Sequence, residues 1–186
     1  MNKIINSIGE KMIELVECTD KKEIFDSIWQ SAWEEKGVND EFPDDGQKYL
    51  VKIVDGSYIG TFEIFPFFKG CPLDTIYRFS SRKELLDNKV IEIDKVAIRL
   101  EYRLRGYVKE MVNFFLNYAI ENDCKYVIAL IDQSFYGLLK TRINVPIHII
   151  DHSLDKEREG VVPIIVDVEE VTNRLAELKL NISIEK

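Results

Sequence analysis

The chain is short of the residues that build several common kinds of protein. Only three cysteines occur in 186 residues. Cys18, Cys71 and Cys124 are widely spaced and form no CxxC pair, which excludes a disulfide framework and a thiolate zinc site. There are two histidines, His148 and His152. Their spacing would suit one helix face, but IHIIDHS reads as a strand running into a turn, with no third ligand nearby, so no metal is expected. No apolar run approaches the roughly 20 residues that span a bilayer. The opening MNKIINSIGEKM lacks an apolar signal core and a small-residue cleavage site. Cytoplasmic localisation with no membrane partner is the expectation. Basic residues are outnumbered, with 25 Lys and Arg against 33 Asp and Glu for a net charge of −8. That balance disfavours nucleic acid, whose binders carry a clustered basic face.

What is present describes a packed globule. A hydrophobic content of 46% and an aromatic content of 11% exclude a disordered chain. The length suits a single domain, residues 1–186, with a core over about 11–168 and a C-terminal helix over about 169–180.

KMIELVEC, residues 11–18, reads equally as a strand or as the last turns of a helix. Asp20 and Glu23 have capping-box spacing, and Ile24, Phe25, Ile28, Trp29 and Ala32 behind them share a helix face. Gly37 and the acidic stretch Asn39 to Gly46 read as loop. YLVKIV (Tyr49 to Val54) and SYIGTFEIF (Ser57 to Phe65) form a hairpin through a two-residue Asp55-Gly56 turn, and Pro66 ends the second strand. Residues 66–89 form a long connection of the kind that is functional or mobile.

VIEIDKVAIR (Val90 to Arg99) reads as a central strand. The helix after it carries Leu104, Val108, Met111, Val112, Phe115 and Ala119 at helical spacing. KYVIALI (Lys125 to Ile131) is a strand covered on both faces. QSFYGLLKT is a short helix, PIHIIDHSL and VVPIIVDVE are strands, and EEVTNRLAELKL is a helix. The order is β-α-β-β-β-α-β-α-β-β-α. The fold class is therefore α/β in the mixed, α+β sense, with a mostly antiparallel sheet, one parallel crossover and flanking helices.

Three features carry chemistry. Arg103-Leu104-Arg105-Gly106-Tyr107-Val108 sits where the central strand gives way to the long helix. Amides and the helix dipole favour an anion there, and Gly106 lets a phosphate approach without a Cβ in the way. On spacing alone, an ordinary helix start with solvated arginines remains the alternative. Glu92 lies on the central strand. Buried, such a carboxylate has the raised pKa that a general base near neutral pH needs. On the solvated face of a half-exposed strand, Glu92 and Asp94 would do nothing of the kind. Tyr136, just after the second parallel strand, could give a proton to a leaving thiolate or could simply pack. Cys124 and most of the aromatic run Phe62, Phe65, Phe67 and Phe68 read as core.

Together these features resemble the GNAT acyltransferases. RLRGYV resembles their coenzyme A pyrophosphate loop, [QR]-x-x-G-x-[GA], with Arg103 and Gly106 matching and Val108 departing from it. The internal R-G-Y is the form seen in the histone acetyltransferase branch. Glu92 falls where that branch carries its base glutamate, and Phe135-Tyr136 falls where many members carry F-Y with an acid tyrosine. The segment that follows, GLLKT, departs from the usual lysine-leucine-glycine-phenylalanine. The resemblance implies acetyl-CoA or another acyl-CoA as co-substrate, held by Val96, Ala97 and Ile98 and by Arg103, Leu104, Arg105, Gly106, Tyr107 and Val108. The thioester would sit between the central strand and Lys125 to Ile131. Glu92 and Tyr136 would act as base and acid, the acceptor would be a small-molecule or peptide amine, and a homodimer is compatible.

From Trp33 to Glu92 the chain also resembles the acyl-homoserine-lactone synthases. Trp33, the Asp40/Asp44/Asp45 loop, Tyr49-Leu50-Val51, Asp55-Gly56, Ile59-Gly60, Pro66, Pro72-Leu73 and Phe79 follow their order. Glu63 stands where those enzymes carry an arginine, and Ile91-Glu92-Ile93-Asp94-Lys95 replaces their W-E-x-S-R. An autoinducer synthase is accordingly the alternative reading. A GNAT-fold module that holds an acyl-CoA without turnover, motivated by Val108 and the segment after Tyr136, is a further one.

Overall fold

A computed structural model describes residues 13–37, 46–143, 146–150 and 160–174. Seven strands form one sheet in the order β1-β2-β3-β4-β5-β7-β6: β1 Ile13–Leu15, β2 Gln47–Lys52, β3 Tyr58–Pro66, β4 Val90–Ile98, β5 Tyr126–Asp132, β6 His148–Ile149 and β7 Val161–Asp167. The sheet is mostly antiparallel, and β4 and β5 supply its parallel pair. The main helices are α1 Thr19–Glu34, α2 Pro72–Ile76, α3 Lys83–Leu86, α4 Tyr107–Glu121 and α5 Gln133–Leu138. Residues 168–174 begin the expected last helix. The described residues group into two compact units, one holding 13–37, 46–63 and 95–107, the other the rest.

In the first unit the ambiguous segment resolves as a strand, because Ile13 to Leu15 pairs antiparallel with Val51 to Tyr49. α1 buries Phe25 and Ile28 against Leu50 and Ala97, with Ile24, Trp29 and Ala32 alongside, the face that the spacing gave. Its cap differs from the expected box. Cys18 is the N-cap and no side chain caps the helix, so Asp20 acts only as a first-turn charge. The hairpin turn is also one residue longer than expected. Gly56 N–H donates to Ile53 O, and Ile53 N–H to Ser57 O. Val54 and Asp55 therefore form the turn, and Gly56, at φ 91°, follows as the left-handed residue of a three-residue loop. Of the acidic loop, Asn39 to Asp45 lies outside the described residues.

Glu14 ties three strands and α1 together. It accepts from Tyr58 Oη at 2.8 Å and pairs with Lys52 and Lys21, each at 3.1 Å. The Tyr58 hydrogen bond, with the two lysines, holds its pKa down at about 2. A carboxylate depressed in the folded state stabilises above its unfolded pKa, and that contribution is lost as pH falls from about 4.5 towards 2. Glu14→Gln should cost on the order of 1–2 kcal/mol at pH 7, discounted for the water around the lysines. In urea unfolding the two proteins should converge as pH approaches 2. A gap that persists undiminished there would contradict this account.

In the second unit β5 buries Val127, Ile128, Ala129 and Ile131, as a strand covered on both faces must. It pairs along its length with β7, Tyr126 opposite Asp167 through Asp132 opposite Val161. α4 buries Met111, Leu116 and Ala119. Leu104 corrects the expected stripe, since it precedes the helix and is 88% exposed. The connection 66–89 is also corrected. It folds into α2, a 3₁₀ turn at Phe79–Ser81 and α3. Cys71, Leu73, Phe79 and Leu85 pack on Val90, Ile128 and Ile165 as a core of their own. Asp74 pins it by accepting the amides of Gly70 and Ser80.

Candidate active site

β4 supplies most of the expected site residues, and its sequence explains their setting. Alternating β-branched residues bury it on both faces, with Val90, Ile91, Ile93, Ala97 and Ile98 in the core. Glu92 is carried into that interior and is 4% exposed, so the solvated-face alternative fails for it; Asp94 is half-buried. Glu92 lies opposite Ile128, where the parallel pairing recorded from Val90 opposite Tyr126 ends. The Cys71 thiol, fully buried, donates to Glu92 Oε2 at 3.9 Å. Burial above all pushes that thiol's pKa up, so it remains a proton donor to the carboxylate rather than a nucleophile.

Tyr136 lies in α5, four residues beyond the end of β5. Asp132 caps α5 by accepting the Ser134 amide, and the helix runs on into a π-turn over Leu139–Ile143. Tyr136 is half-buried, with Lys140 Nζ 5.8 Å from its ring centroid. Cys124, as expected, is a buried core thiol. His148 is exposed and its Nε2 lies 2.7 Å from Glu170, whereas His152 is outside the described residues.

The expected anion loop follows β4 in the first unit. After Ile98 come a 3₁₀ turn at Leu100–Tyr102 and a bend, and α4 begins at Tyr107. Leu104 at φ 63° and Gly106 at φ 93° flank Arg105, whose φ is negative. Such alternation turns successive amides to one side, as in anion-binding nests. Among the described residues the amides of Leu104 and Gly106 have no backbone acceptor, and the Arg105 amide closes the turn at 103–104. The first-turn amides at Tyr107 and Val108 add the donors that any helix start leaves over.

The two arginines differ. Arg103 Nη2 pairs with Glu35 at 2.7 Å and its Nε donates to Ile98 O at 2.9 Å. Arg105 stacks over Tyr102, 5.3 Å from the ring centroid. A surface pair such as Arg103–Glu35 is worth about 0–1 kcal/mol, too little to withhold Arg103 from a diphosphate. A Cβ on Gly106 would meet nothing within 4 Å, so only its backbone and the approach of a ligand require glycine. Gly106→Ala should weaken acetyl-CoA binding about tenfold or more through a strain of about 1–2 kcal/mol. Calorimetry showing unchanged affinity would remove the loop from the site.

Sequence reasoning passed over a buried cluster beside these residues. Glu63 on β3 is 3% exposed. Its Oε2 lies 2.6 Å from Lys95 Nζ on β4, and its Oε1 lies 3.5 Å from Lys48 Nζ on β2. The Gly46 amide donates to the same Oε1 at 2.6 Å. Glu63 entered the reading only as a missing arginine. The sequence offers only a faint signal, a charge within an apolar run as in Phe62-Glu63-Ile64, and nothing local pairs it with Lys95.

Comparison with known proteins bears on the family and the fold. The family model described as Acetyltransferase (GNAT) family matches residues 19–136. Among solved structures the chain is similar to FeeM, an N-acyl amino acid synthase from uncultured soil microbes. The TM-score is 0.66 at 17% identity, covering 85% of this chain and 91% of that one. It is similar to the acyl-homoserine-lactone synthase LasI, with TM-score 0.60, 14% identity and 84% and 88% coverage. It is also similar to an acetyltransferase of the GNAT family from Staphylococcus aureus Mu50, with TM-score 0.57, 14% identity and 84% and 99% coverage. At these identities the likeness is one of fold. Among curated proteins none matches.

Proposed function

The chain belongs to the GNAT acetyltransferase family, and from that premise we propose that it transfers an acyl group from coenzyme A to an amine. The observation that carries this reading is the left-handed loop just before α4, where the amides of Leu104 and Gly106 have no backbone acceptor among the described residues. These amides suit a diphosphate, and Arg103 and Arg105 suit its charge on an otherwise acidic chain. Val96, Ala97 and Ile98 would line the arm of the cofactor.

In the reaction the amine nitrogen attacks the thioester carbonyl and the carbon–sulfur bond breaks. Glu92, through a water, takes the proton that the nitrogen sheds. Tyr136 gives a proton to the departing thiolate. No covalent enzyme intermediate is needed, and the acceleration comes from positioning and acid–base help. The acidic surface favours a basic amine as acceptor. Calorimetric titration with acetyl-CoA should give saturable heat below millimolar ligand. Absence of heat would overturn the reading.

The resemblance of residues 33–92 to the acyl-homoserine-lactone synthases, beside the likeness of fold to FeeM and LasI, motivates a second reading, an autoinducer synthase with a longer acyl donor. A series from acetyl- to decanoyl-CoA decides between the two. Tightest binding at acetyl supports the first, and affinity that rises with chain length supports the second.

A further inference from the structure

Lys95 is a bulky residue in a conformation that suits glycine. Its φ is 51°, in the middle of β4 and almost wholly buried. Non-glycine residues pay about 1–2 kcal/mol for the left-handed region. The strain coincides with a change of register. On one side of Lys95, Arg99 N–H donates to Ile59 O; on the other, Phe67 N–H donates to Val90 O. These two antiparallel pairings are out of step by one residue, the mark of a β-bulge with its left-handed residue at Lys95.

Two neighbouring residues of β3 hold that residue. Glu63 binds its ammonium at 2.6 Å, and the Thr61 hydroxyl, fully buried, donates to its carbonyl oxygen at 3.0 Å. Gly60, beside Thr61, has room for no Cβ, which would lie 2.8 Å from Ala97 O. β3 thus grips β4 from Lys95 to Ala97 by a charge, a hydroxyl and close backbone contact.

We propose that Thr61 and Glu63 are positioning residues of the acyl-donor site. By fixing the left-handed bulge at Lys95 they set the course of Val96–Ile98 and of the anion loop that follows. This rests on the reading that those segments receive the acyl-CoA. Neither residue touches the donor; both act through the backbone of Lys95.

Lys95→Ala and Lys95→Gly separate this role from a merely structural one. Both lose the ion pair and should melt lower than wild type, but only glycine adopts φ 51° without strain. Acetyl-CoA binding, measured by calorimetry, should weaken about tenfold in Lys95→Ala and stay within about threefold of wild type in Lys95→Gly. Amide exchange over residues 96–98 should quicken in the alanine variant and be restored by glycine. Equal loss of binding in the two variants, beside a wild type that binds, overturns the positioning role alone. A wild type that does not bind acetyl-CoA overturns the functional reading and this role with it.

Discussion

Glu92→Gln should lower kcat for acyl transfer by about 10²–10⁴-fold, the range that one general base supplies, while acetyl-CoA affinity stays within about twofold. The amide keeps the shape of the carboxylate and still accepts from the Cys71 thiol, so the core around it should remain intact. What it loses, on the proposed mechanism, is the ability to take a proton from the attacking amine. Thiol release from acetyl-CoA across an amine panel, with calorimetry on the same sample, separates chemistry from binding. A kcat within tenfold of wild type would remove Glu92 as the base and leave its burial unexplained by catalysis.

The second large effect is on stability. Glu63→Ala should cost about 3–5 kcal/mol, because it withdraws the carboxylate from two buried lysines. For a chain of this size that corresponds to a fall in Tm of roughly 6–20 °C. The favourable comparison is with the whole cluster replaced. Glu63→Leu combined with Lys48→Met and Lys95→Met should lose far less, since apolar residues of similar volume avoid the desolvation of charge. Urea unfolding checks both. A single variant as stable as wild type would show that water reaches the cluster.

The two effects read different links between sequence and function. Glu92 was legible in the sequence as a candidate base because its distance from the RLRGYV loop matches the arrangement of the family it resembles. The structure adds what spacing alone left open: Glu92 is buried, with a thiol donor beside it. The Glu63–Lys95 pair was not found, because 32 positions separate its members and each charge, read within its own strand, resembles an ordinary outward-facing residue. Only the pairing of β3 with β4 brings them together. The connection 66–89 escaped for a related reason. Its helices are each one turn or little more, too short to show a period, and their apolar residues find a common core only against β4, β5 and β7.

Local chemistry was enough to determine the main strands and long helices, the existence of the hairpin and the parallel crossover, and to single out residues 103–108 as a candidate anion loop. Each rests on neighbours within a few residues: alternation in strands, helical spacing in α1, Gly56 and Gly106 at turns that need positive φ. With three cysteines and two histidines, the chain is left with carboxylates, tyrosines and backbone amides as its main chemical groups. Burial was decided by the tertiary structure alone. Whether Glu92 is solvated, whether Glu63 and Lys95 neutralise each other, and whether Lys95 can be held in a glycine's conformation all depend on strands far apart in sequence excluding water from the same place. The free energy of a charge is set by that surrounding medium.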